Sequence, residues 1–121
     1  MRTIIAGSRG VTDYEILLEG IEAFGLKISH VISGNAHGVD QLGLRYAFEK
    51  GLTREIHEPD WQKYGREGAL RRNLYMAEET GAEALIAIWD GKSRGTKHMI
   101  ETATDRGLKV FVYQPKSISL A

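Results

Sequence analysis

No cysteine occurs among the 121 residues, which removes thiolate nucleophiles, redox pairs, disulfide staples and Cys-ligated zinc from consideration. That lack is compatible with the cytosol, and a cytoplasmic location is the expectation. An excess charge of either sign is missing too. The chain carries 16 Lys and Arg against 16 Asp and Glu, so no overall field steers it toward nucleic acid. Long apolar runs are lacking: the run Ala84–Trp89 falls far short of the roughly 20 residues that span a bilayer, and no membrane partner is expected. The apolar part of Met1–Gly7 is too short for a signal peptide and reads as a strand. The histidines His30, His37, His57 and His98 have no metal-ligand spacing, so no metal is expected. No G-x-S-x-G elbow supports an acyl-enzyme serine, and no G-x-G-x-x-G follows the first apolar run, which argues against a conventional dinucleotide site. No cofactor is implied.

What the chain does contain is an alternation of two periodicities. Thr3–Ala6 is a short β run, and Leu17, Leu18, Ile21 and Phe24 then recur at helical spacing behind Thr12 and Glu15, which have the form of a capping box. Val31 and Ile32 lead into a second helical stretch through Val39, Leu42, Tyr46 and Ala47. Arg54–His57 reads as a third strand stopped by Pro59, and Arg66–Thr80 as a helix closed by Gly81. Ala84–Trp89, apolar on both faces, suits a buried parallel strand. A last helix through Met99, Ile100 and Ala103 ends near Gly107, before a strand at Leu108–Tyr113. Strands alternating with helices predict one α/β domain over 1–121. It would be a Rossmann-like three-layer sandwich of about five mainly parallel strands with helices on both faces, and a tail from about 115.

Ligands of such sheets sit beyond the carboxyl ends of the strands, and that rule gathers the informative residues onto one edge. Gly7, Ser8 and Arg9 follow the first strand. Gly34, Asn35, His37, Gly38 and Asp40 follow the second, while Trp61 and Tyr64 follow the third. Asp90, Lys92, Arg94, Gly95 and Thr96 follow the fourth, and Arg72 and Asn73 lie on the helix before it. Backbone N–H groups at two strand-to-helix turns, with Arg9, Arg72, Lys92 and Arg94 around them, suit a compact phosphate-bearing anion rather than a polymer. Gly91-Lys92-Ser93 looks like the end of a Walker A loop, but Ile86 stands where the leading glycine belongs.

A purely structural reading competes at each position. Asp40 and Thr96 would cap the helices that follow them. The glycines would only relieve strain, Arg72 would be a solvated helix residue, and Trp61 and Tyr64 would pack as a lid. As stacking partners for a base these two aromatics are equally well placed.

Taken in order, Gly7-Ser8-Arg9, Gly34 through Gly38-Val39-Asp40, Asp60-Trp61-x-x-Tyr64-Gly65, Arg72-Asn73-x-x-Met76 and Gly95-Thr96-x-x-Met99 together resemble the YspA-type (YAcAr) branch of the SLOG superfamily. That superfamily also holds the DprA/Smf and "Lonely guy" (LOG) proteins. The resemblance runs from Thr3 to about Gln114. It implies a Rossmann-like sheet that binds nucleotides or nucleotide-derived ligands, partly in bacterial and phage conflict systems. By it, Gly7, Ser8 and Arg9 line the ligand, Gly34, Gly38 and Asp40 shape the second loop, and Gly95 with Thr96 holds a phosphate. It also implies self-association into a homo-oligomer.

LOG enzymes carry P-G-G-x-G-T-x-x-E, whose glutamate assists N-glycosidic cleavage; here that position is Met99, which supplies neither charge nor proton. The leading expectation is therefore capture of a nucleotide-derived small molecule, for sensing or sequestration. The alternative is a hydrolase of an N-glycosidic bond, with Asp40 or Asp90 as the catalytic carboxylate. DprA-like single-stranded DNA binding ranks last because the chain is neutral.

Overall fold

The computed structural model describes residues 1–115. It contains five strands, β1 (Arg2–Gly7), β2 (His30–Ser33), β3 (Thr53–Ile56), β4 (Ala84–Ile88) and β5 (Lys109–Tyr113). The helices are α1 (Tyr14–Phe24), α2 (Val39–Glu49), a short α3 (Trp61–Tyr64), α4 (Gly68–Glu79) and α5 (Arg94–Asp105), with a 3-10 turn at Gly65–Glu67. The tail expected over about 115–121 lies, past Pro115, outside the described residues.

All strand pairs are parallel, in the order β3-β2-β1-β4-β5. Because helices cover both faces, the inner strands are apolar at successive positions, and the pleat divides each between two cores. Ile5, Val31, Ile86 and Ile88 join α1 and α2 in one core, with Leu17 and Val39. Ile4, Ile32, Leu85 and Ala87 join α4 and α5 in the other, with Met76 and Met99. The chain winds outward to β3, returns through α4, and resumes beside β1 at β4. The order therefore reverses between β1 and β4, the switch point where a crevice opens at the carboxyl ends.

The structure moves several boundaries. The first helix is capped by Asp13, whose side chain accepts from the Glu15 amide, not by Thr12. The helix expected at Arg66–Thr80 is α4, which begins at Gly68. Asp60 caps a separate turn by accepting from Lys63 N–H at 2.9 Å, and Gly65 at φ 56 ends that turn. Neither helix start at the crevice carries the cap expected for it. Ser93, not Thr96, is the N-cap of α5. Gly38, not Asp40, is the N-cap of α2 and brings no side chain to its first-turn N–H groups.

Candidate functional site

A cavity of about 400 Å³ opens at the switch point, lined by five segments of the chain. The end of β1 supplies Gly7 and Arg9, and the loop after β2 supplies Gly34, Asn35, His37 and Asp40. Trp61, from the connection after β3, stands at the mouth and is 57% exposed. Arg72 and Asn73 come from α4, and Gly95 and Thr96 from the opening turn of α5.

The loop after β2 is built by local hydrogen bonds. Ser33 Oγ donates to the Asp40 carbonyl at 3.0 Å and accepts from Asn35 N–H at 3.1 Å. Asn35 holds φ 59, a left-handed conformation that asparagine tolerates better than most residues. The Asp40 carboxylate reaches back to accept from Ala36 N–H at 3.2 Å. A Cβ at Gly34 would lie 2.3 Å from Arg72 Nη1 and 2.9 Å from Asp40 Oδ2, so both side-chain ends would have to shift to admit one. Arg72 and Asp40 thus stand close together at Gly34 without a direct ion pair.

Their electrostatics follow from that placement. Burial raises the Asp40 carboxyl to about 6, against the opposing pull of the Ala36 amide, the Arg72 charge and the Gly7 amide. Burial also lowers the pKa of Arg72, while Asp40 partly restores it. Each group is pushed toward its neutral form, as happens when opposite charges share a dry site without full contact. Arg72 Nη1 donates to the Gly34 and His57 carbonyls at 3.0 and 3.2 Å, and its Nε donates to Asn73 Oδ1 at 3.0 Å. Among the described residues, the Nη2 amino group has no protein acceptor.

A pH dependence of stability follows. Native Asp40 keeps its proton up to about pH 6, whereas the unfolded chain releases it near 3.8. The native state therefore binds more protons between those values, and this contribution to stability is lost as pH rises through 6. Its size is on the order of 3 kcal/mol. Urea denaturation of Asp40→Asn across pH 4 to 7 should show that slope removed and the variant more stable at pH 7. An unchanged slope would rule out a buried, charge-averse Asp40.

Other expected ligand contacts are used by the framework. Ser8 is 1% exposed; its hydroxyl accepts from Asp90 N–H at 2.9 Å, and its own N–H donates to the Ile88 carbonyl at 3.0 Å. The Asp90 carboxylate accepts from Lys92 and Ser93 N–H, both at 2.8 Å. Ser93 first and then Lys92 hold it below the usual carboxylate range, the reverse of what a general acid needs. Gly38 is buried behind the loop. Arg94 does not line the cavity. Tyr64 lies in a separate groove, with Arg71 4.4 Å from its ring centroid, so the two aromatics are divided and only Trp61 reaches the cavity. Sequence reasoning missed Leu70, Met76 and Met99 as apolar wall residues of the cavity. For the two methionines a signal exists in the spacing: Met76 and Met99 stand three residues after Asn73 and Thr96, on the same helix faces. Glu58, also at the cavity, sits in a loop where no periodicity points to it.

Two comparisons with known proteins bear on this crevice. The family model described as "YspA, cpYpsA-related SLOG family" (YAcAr) matches residues 1–64, just over half of the 121-residue chain. The chain belongs to this family. The matched YAcAr segment carries β1, the loop after β2 and Trp61, whereas Arg72, Asn73 and the α5 turn lie beyond it. SLOG membership suggests a nucleotide-related ligand or a related activity. The chain is also 29% identical over 126 residues to the Gene 61 protein of Mycobacterium phage D29, covering 95% of this chain and 98% of that one. No solved structure matches the chain. Among the described residues, no helix is long and apolar enough to cross a membrane, and no cluster of metal-ligating side chains occurs.

Proposed function

We propose that this YAcAr protein captures a nucleotide or nucleotide-derived, phosphate-bearing small molecule in the switch-point cavity, as a sensor or a sequestering agent. The observation that carries the reading is the mixed chemistry of the cavity wall. It includes Arg9, Arg72 and the opening turns of α2 and α5, whose N–H groups and dipoles favour an anion. It also includes Trp61, Leu70, Met76 and Met99, apolar and aromatic groups suited to the face of a base. A small molecule with a charged end and a flat end fits both, and a polymer finds no matching basic track on a neutral protein.

One observation favours hydrolysis of an N-glycosidic bond as a second reading. A carboxyl with a pKa of about 6 at the cavity, Asp40, is in the range that suits a general acid. Incubation with AMP, NAD, ADP-ribose and cyclic dinucleotides, read by thermal shift and by mass spectrometry of products, separates the two. A raised Tm without turnover is the expected result; a released free base would establish hydrolysis, and no shift with any of them would sink both.

A further inference from the structure

We infer that Asn73 is the positioning residue of this cavity, locking the Arg72 guanidinium to the opening turn of α5. The inference rests on the proposed anion site and assigns to Asn73 a role other than touching the ligand.

The chemistry of the partners determines the orientation of its amide. Arg72 Nε–H can only donate, so the group it meets at 3.0 Å must be the Asn73 oxygen. The Asn73 amino group then faces the Gly95 carbonyl at 3.4 Å and His98 Nδ1 at 3.1 Å. It can only donate to both. His98 Nδ1 must therefore offer a lone pair, which places the imidazole proton on Nε2, 3.5 Å from Thr102 Oγ1. Asn73 is 4% exposed and Thr102 5%, so the chain of contacts is shielded from competing water over much of its length.

The consequence falls on Arg72. Three of the five guanidinium N–H groups are taken by Asn73 Oδ1 and by the carbonyls of Gly34 and His57. These three acceptors come from α4, the loop after β2 and the residue just past β3, and together they fix the plane of the fork. The two N–H groups on Nη2 are left for an anion. Through its other end Asn73 holds Gly95, beside which a Cβ would meet nothing within 4 Å. The cation and the helix N-terminus that face the same ligand are thus set at one distance by one amide. An aspartate could still accept from Arg72 but could not donate to Gly95 or His98, and alanine could do neither.

The test uses the whole protein, with two readouts. The first needs no ligand: in a ¹H–¹⁵N spectrum, Arg72 Nε–H should exchange slowly with water, lose that protection in Asn73→Ala and keep it in Asn73→Asp. The second is AMP affinity, measured well below the Tm of each variant. Asn73→Ala should weaken binding roughly tenfold, the usual cost of losing a charge-assisted hydrogen bond. Arg72→Ala added to it should cost much less than Arg72→Ala alone, because both changes remove one arrangement. Asn73→Asp, which keeps one link and loses the other, should fall between the wild type and alanine. If Asn73→Ala does not fold, Asn73→Asp and the wild-type exchange rate still decide. A fast-exchanging Arg72 Nε–H in the wild type, wild-type affinity in a folded Asn73→Ala, or full additivity with Arg72→Ala would each overturn the inference. A protected Nε–H with no AMP binding by any variant would instead count against the anion site and leave the positioning of Arg72 standing.

Discussion

Gly38→Ala is expected to cost about 2–5 kcal/mol of stability, lowering Tm by roughly 10 °C or more in a chain of this size. Gly38 is the N-cap of α2 at φ 81 and ψ −130, a region that side chains with a Cβ avoid. There is no room for one either. A Cβ would lie 2.5 Å from the Ser8 carbonyl oxygen and 2.6 Å from that of Arg9, and both belong to backbone that cannot turn aside. The loop after β2 and the loop after β1 touch here, so the strain would push apart two walls of the cavity at once. Gly10→Ala is the matched control. It lies in the same region, yet a Cβ there would meet nothing within 4 Å and its φ is not positive, so its effect should be within about 0.5 kcal/mol. Equal Tm values for the two variants would refute the close seam between the loops.

Arg72→Ala should reduce affinity for the most strongly bound member of the nucleotide panel by about 100-fold, the scale of truncating a desolvated charge that meets its partner directly. Arg94→Ala should change it by less than about twofold, since an exposed charge outside the cavity is screened by solvent. This contrast is informative because the two arginines look equally eligible from the sequence. Arg72→Lys should recover only part of the loss: a lysine keeps the charge but cannot hold three fixed acceptors while presenting a fourth donor group. Calorimetric titration at fixed ionic strength is the measurement. Equal losses for Arg72→Ala and Arg94→Ala would mean that the anion sits over the outer rim and not in the cavity.

Self-association remains a proposal drawn from the family resemblance. Sedimentation of the whole protein is the measurement that tests it.

The sequence by itself determined the layer architecture and the edge at which the cavity opens. Ala84–Ile88 is apolar at every position because helices cover both faces of β4, and that pattern is local and readable. Gly34, Asn35 and Asp40 were readable as a loop feature because they follow an apolar strand and precede a helical repeat. The boundaries were less legible. Asp13 rather than Thr12 caps α1 because two adjacent residues could each accept the hydrogen bond, and backbone geometry chose between them.

Only the tertiary structure decided which polar residues face the cavity. Ser8 and Asp90 hold each other across 82 positions of chain, a pairing that no spacing rule reveals. Arg72 is drawn in because Gly34 leaves room for its guanidinium and the carbonyls of Gly34 and His57 receive it. Arg94, one residue past the cap of α5, is carried outside the cavity. A strand or helix is specified by neighbours within a few residues. A cavity is specified by which loop ends the sheet brings side by side, and the reversal of strand order between β1 and β4 set that here.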